Sequence, residues 1–146
     1  MRINHLDAAP AKATRNLSEV QGGAADSFLQ EVSRIQREKI NQELEAMVRG
    51  IEEAGERLAA TMSLDDLVAY KRLIGDFLRA VNHSAVQVQT SLSWGYMGQQ
   101  RHYTIVREID ASLARLRDLI MEEEKDHLNI VALVDNIRGL VLDLRL

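Results

Sequence analysis

The chain has 146 residues, a formal net charge of −4, 46% hydrophobic and 27% charged residues, and no cysteine. That length and composition suit one globular domain with a core of its own, and the missing thiols exclude disulfides and thiolate metal sites. The acidic balance argues against general nucleic-acid or membrane binding, no apolar run approaches the ~20 residues that span a bilayer, and the start Met1-Arg2-Ile3-Asn4 lacks a signal peptide's apolar core, so the cytoplasm is the expected location.

Residues 1–25 read as a flexible N-terminal tail. They contain the lone proline, Pro10, together with Gly22 and Gly23 and only isolated apolar residues. From Asp26 the pattern becomes helical. Phe28, Val32, Ile35, Leu44, Met47, Ile51, Leu58 and Met62 mostly recur three, four or seven apart, which places them on helical stripes. The spacing predicts a helix to about residue 60. Gly50 and Gly55 inside it mark a bend, a close helix contact or a tolerated weak spot, since each costs about 1 kcal/mol relative to alanine.

Ser63-Leu64-Asp65-Asp66 is a helix start. Ser63 can accept a hydrogen bond from a first-turn amide, and the two carboxylates favour the positive helix end. The second helix carries Leu67, Tyr70, Ile74, Phe77, Leu78, Val81, Ala85, Val88 and Leu92 and should end near residues 91–93. Residues 93–100, with Trp94, Gly95, Tyr96 and Gly98, read as a loop. A third helix is predicted from His102 or Tyr103, with Ile105, Val106, Ile109, Leu113, Leu116 and Ile120 on one face. Asp126 can cap a fourth helix over about 127–144, apolar around most of its circumference and so expected to be the most buried. The predicted fold is therefore all-α: an elongated antiparallel bundle of about four helices over 26–146, preceded by the mobile tail.

Catalytic and cofactor patterns are few. Di-iron bundles use paired Glu-x-x-His motifs, and Glu124-Lys125-Asp126-His127 fits once, at a helix joint; His5, His83 and His102 have no glutamate three residues before them. Ser84 beside His83 makes no triad, because adjacent helical residues point different ways, and there is no Gly-x-Ser-x-Gly elbow. Gly22-Gly23 is followed by no phosphate-binding Gly-Lys-Ser/Thr, and no Gly-x-Gly-x-x-Gly occurs. Asp65/Asp66 and Glu122–Glu124 read as helix-end and surface charge. The expectation is no enzyme activity, no metal and no cofactor.

Recognition chemistry concentrates in 94–107. Trp94, Tyr96 and Tyr103 offer stacking or anchoring surfaces, and Arg101, His102 and Arg107 offer positive charge. Aromatic and arginine side chains interleaved in this way suit a protein partner or single-stranded nucleic acid, and helix N-terminal amides near 102–104 suit an anion. The competing structural reading has Trp94 and Tyr103 plugging the bundle end and Arg101 paired with a carboxylate.

Several further segments occur in a fixed order: Met1-Arg2-Ile3-Asn4; Gly55 with Arg57-Leu58-Ala59; Asp66-Leu67, Tyr70-Lys71 and Phe77-Leu78; Arg101-His102-Tyr103; Ile105-Val106-Arg107-Glu108-Ile109-Asp110; Glu124-Lys125-Asp126; and Ile137-Arg138-Gly139-Leu140. In these the chain resembles the YaaR family, small bacterial proteins classed as a domain of unknown function. The resemblance implies a helical bundle in a bacterial cytoplasm and brings no activity, substrate or catalytic residue. It also implies a more arginine-rich loop than the Tyr96-Met97-Gly98-Gln99-Gln100 found here, which weakens a reading in which that segment grips phosphate by charge alone. The function expected is a non-enzymatic interaction or scaffold module with a protein partner, self-association through the long first helix being a further expectation, and an anion- or nucleic-acid-binding module the alternative.

Overall fold

The computed structural model describes the backbone of residues 2–91 and 96–145 and the side chains of residues 23–84 and 97–145. Four helices follow one another: α1 (Arg2–Thr61), α2 (Leu64–Ser91), α3 (Tyr96–Met121) and α4 (His127–Arg145). The described residues contain no strand. The tail expected over 1–25 falls mostly on positions 1–22, whose side chains lie outside the described residues. The chain divides into two compact units, Met1–Lys39 and Ile40–Leu146.

In the first unit the described side chains are those of 23–39. Phe28, Leu29 and Ile35 are exposed on this helical segment. Arg34 bridges Glu31 at 2.5 Å and Glu38 at 2.6 Å, the one-turn pairing that supports a solvated helix.

The second unit holds the core. Leu44, Val48, Ile51 and Leu58 of α1, Leu67, Tyr70, Ile74, Phe77 and Val81 of α2, and Ile105, Ile109, Leu113, Leu116 and Ile120 of α3 are buried. Ile130, Ile137, Leu140 and Val141 of α4 complete the cluster. Steps of three and four run along each helix and keep one stripe turned inward, as antiparallel bundle packing requires.

The joints explain why the helices stop and turn where they do. Met62 closes α1 in the left-handed conformation, φ 52°, with its amide donating to the Leu58 carbonyl at 2.7 Å. Ser63 then caps α2: its hydroxyl accepts from the Asp66 amide at 3.2 Å, as its sequence position predicts. Thr61 donates to the Asp66 carboxylate at 2.5 Å, and this bond holds Asp66 below the usual carboxylate range. Asp126 caps α4 in the same way, accepting from the Asn129 amide at 3.2 Å. The Lys125 ammonium donates to the Met62 carbonyl at 3.0 Å, so the α1–α2 and α3–α4 joints lie side by side.

α4 runs antiparallel to the end of α1. Arg145 meets Glu45 at 2.8 Å and Arg138 meets Glu52 at 3.5 Å, and Val134 reaches Gly55. A Cβ on Gly55 would lie 2.9 Å from Val134 Cγ1 and 3.2 Å from the Tyr70 ring, whereas one on Gly50 would meet nothing within 4 Å. Gly55 is thus the close-contact glycine and Gly50 the open one. α3 and α4 pair across Asn136, whose amide donates to the Ser112 hydroxyl at 3.2 Å.

α4 buries Ile130, Ile137, Leu140 and Val141 and half-buries Val131, Leu133, Val134, Leu142 and Leu144, while Leu128 is 80% exposed. One expectation changes. α3 begins at Tyr96 rather than His102, so the second half of the expected loop is helical. Met97, Gln99, Gln100 and Arg101 are good helix formers, and together they outweigh the cost of Gly98.

Candidate interaction surface at the start of α3

The early start of α3 determines how its candidate residues are presented. With Tyr96–Gln100 helical, Arg101, His102, Tyr103 and Arg107 lie within the helix and take positions fixed by its 3.6-residue turn. Ile105 and Ile109 point into the core. Met97, Gln100, Arg101, Tyr103, Thr104 and Arg107 are exposed, Met97 by 80% and Tyr103 by 58%. Thr104 spends its hydroxyl on the Gln100 carbonyl at 2.9 Å, a bond that stays within the helix.

Tyr103 and Arg107 are one turn apart and stack, the guanidinium carbon 5.7 Å from the ring centroid. Such a pair on an open surface is a preformed, flat, cationic contact element. Arg101 forms no ion pair among the described residues, so the carboxylate partner of the structural reading is not found there. His102 is half-buried, and burial lowers its imidazole below the ordinary 6.5, which keeps it neutral at pH 7. Its part in the surface is therefore polar rather than cationic. Trp94 lies outside the described residues, as does the side chain of Tyr96. Of the six candidates the structure thus brings two together, Tyr103 and Arg107, leaves Arg101 exposed on another side of the helix, and half-buries His102.

One signal in the sequence enlarges this surface. The chain carries 22 acidic residues, and none falls between Asp76 and Glu108. The whole α2–α3 turn is therefore free of carboxylates, and its charges are Arg79, Arg101 and Arg107. Arg79 pairs with Asp76, which leaves Arg101 and Arg107 as the exposed positive charges of this stretch without an ion pair among the described residues. A scan of charge along the chain finds this gap where a search for motifs does not.

Catalytic constellations are scarce among the described residues. No group of three or more histidine, aspartate or glutamate side chains is placed to hold a metal ion. Glu124, Asp126 and His127 are all exposed at the α3–α4 joint. An open hollow of about 420 Å³ between α3 and α4 is lined by Arg115, Asp118, Leu119, Asn129, Ala132, Leu133 and Asn136. It contains neither a nucleophile nor a histidine, and none of the candidate residues lines it. Tyr70 is buried, and burial together with Asp135 pushes its phenol above the ordinary range. It serves as a core filler against Gly55. No described helix is long and apolar enough to cross a membrane.

Comparison with known proteins places this geometry in context. Residues 3–145 match the family described as "Protein of unknown function (DUF327)". The uncharacterized protein YaaR of Bacillus subtilis (strain 168) is 29% identical over 102 residues, 70% of each chain. The crystal structure of the uncharacterized protein BH1478 from Bacillus halodurans superposes with a TM-score of 0.69 at 29% identity, covering 80% of this chain and 97% of that one. A designed granulopoietic protein, Moevan, made by topological rescaffolding, superposes with a TM-score of 0.68 at 25% identity, covering 75% of this chain and 93% of its own.

Proposed function

The chain belongs to the DUF327 family of proteins of unknown function, and on that premise we propose that it is a cytoplasmic, non-enzymatic interaction module that docks a partner protein on the first half of α3. The observation that carries this reading is the exposed set Met97, Arg101, Tyr103 and Arg107, with Arg107 stacked on the Tyr103 ring. Aromatic and arginine anchors dominate protein interfaces, and here they stand on a helix held in the core by Ile105 and Ile109, Tyr103 and Arg107 turned away from that stripe and Met97 and Arg101 on the turns that precede it. Their ordering cost on binding is therefore small.

Affinity purification from the native cell tests the reading. A co-purifying protein should be lost with Arg101→Ala and with Tyr103→Ala, while the unfolding free energy stays within the range of surface substitutions, about 0.5 kcal/mol either way. If both substitutions leave capture intact and act only by destabilising the fold, the docking role fails.

A second reading is favoured by the carboxylate-free stretch between Asp76 and Glu108: the same stack and guanidinium groups would bind single-stranded nucleic acid. That reading requires binding that weakens steeply with salt. Absence of RNA and DNA binding at low ionic strength removes it.

A further inference from the structure

The second unit carries opposite charge at its two ends. At one end lie the α1–α2 and α3–α4 joints, held together by the Lys125–Met62 hydrogen bond. Over 118–126 five carboxylates outnumber the ammonium of Lys125, and over 52–66 five outnumber the guanidinium of Arg57; from outside these spans Arg117 pairs with Asp118 and Arg138 with Glu52. Glu122, Glu123 and Glu124 are exposed. The same end exposes Leu64, Val68, Met121 and Leu128, the last by 80%. α2 leads away from this end for 28 residues, about 42 Å at 1.5 Å per residue. It arrives at the carboxylate-free α2–α3 turn with Arg101, Arg107, Met97 and Tyr103 beside it. Carboxylates also occur at that distance on α1 and α4, where Glu45 is tied to Arg145.

Each end therefore combines exposed apolar side chains with a local excess of one charge, acidic at the joints and basic at the start of α3. We infer that these ends are complementary docking surfaces for a second copy of this chain, the acidic joint end of one molecule seating on the Arg101–Arg107 segment of the next. This rests on the reading of α3's first half as a docking face, and it names one occupant. Opposite charges steer the encounter and set its polarity, while Met97 and Tyr103 against Leu128, Met121 and Leu64 supply the desolvated centre that charge alone does not provide. The contact is heterologous, each copy offering a different surface on its two sides, so it does not stop at a dimer but continues into open chains or closed rings.

Sedimentation velocity of the full chain at low ionic strength tests this, with charge reversals at exposed positions that spare the core. The wild-type chain should give species that grow past the dimer as concentration rises and should revert to monomer as salt screens the ends. Arg101→Glu with Arg107→Glu makes both ends acidic. Reversing the five exposed glutamates Glu53, Glu56, Glu122, Glu123 and Glu124 to lysine makes the joint end basic. Each variant alone should remain monomeric. An equimolar mixture of the two should associate again, because each then finds the opposite charge only on the other. Restoration by mixing also establishes that both variants are folded.

A wild-type chain that stays monomeric at every concentration overturns the inference, as does association that ends at a dimer, association unaffected by either reversal, or a mixture that stays monomeric. If self-association is absent while Arg101→Ala still abolishes capture of another protein, self-docking alone is removed and the docking face stands.

Discussion

Gly55 sits where three helices converge. The beta carbon of an alanine there would press on Val134 Cγ1 and the Tyr70 ring. Valine on a helix is held to one rotamer, so α4 itself must yield. Overpacking of this kind costs about 1–3 kcal/mol, against a helix-propensity gain of about 1 kcal/mol for replacing glycine. Gly55→Ala is expected to lower stability in a chemical denaturation series, whereas Gly50→Ala, with open space around it, should raise stability by up to about 1 kcal/mol. The Val134→Ala background should remove most of the Gly55→Ala penalty, since the two sites share one contact. The sequence marked both glycines as exceptions within a helix. It could not tell them apart, because the difference lies in what α2 and α4 bring alongside. His102 is similar: its position in 94–107 was legible, its half-burial was not. Because its folded pKa is lowered from 6.5, the unfolded chain takes up a proton first as pH falls. Stability contributed at neutral pH should therefore decline as pH drops through about 6.5, and a His102→Gln variant should lose that part of the decline in melts between pH 7.5 and 5.5.

Helix boundaries were legible wherever a polar side chain has one local job. Ser63 and Asp126 each accept from the third amide of the helix they open, a pattern written in four consecutive residues. Replacing either with alanine should cost about 1 kcal/mol, measured as a shift in denaturation midpoint with an unchanged slope. The start of α3 was less legible, because Gly95, Gly98 and two aromatics resemble a turn while Met97, Gln99, Gln100 and Arg101 support a helix. The packing of Ile105 and Ile109 into the core anchors the next two turns and favours extension back to Tyr96. The apolar circumference of α4 is only partly covered, because hydrophobicity counts side chains and not neighbours. α4 meets α1 through Arg145, Arg138 and Val134 and meets α3 through Asn136, which leaves Leu128 in solvent. Pairing Arg145 with Glu45 adds little: both are partly exposed, and a double-mutant cycle should give a coupling of about 0.2–1 kcal/mol.

At the scale of the whole molecule, the four-helix, all-α architecture followed from three- and four-residue spacing alone, and the candidate surface followed in part. Arg101, Tyr103 and Arg107 were identified by residue type. Their exposure on one helix, with Arg107 stacked on Tyr103, needed the early start of α3. The charge division between the two ends was present in the sequence but spread over separated segments, and only the antiparallel return of the helices gathers it. Ile105 and Ile109 hold α3 in the core, and the proposed docking role requires that the exposed Met97, Arg101, Tyr103 and Arg107 carry none of that packing. Thermal or denaturant unfolding of alanine variants on this single helix tests it most directly. Ile105→Ala and Ile109→Ala should each cost about 2–5 kcal/mol, while Met97→Ala, Arg101→Ala, Tyr103→Ala and Arg107→Ala should each stay within about 0.5 kcal/mol of wild type. Losses at Tyr103 and Arg101 as large as those at the two isoleucines would contradict it, and would make these side chains part of the bundle's own packing.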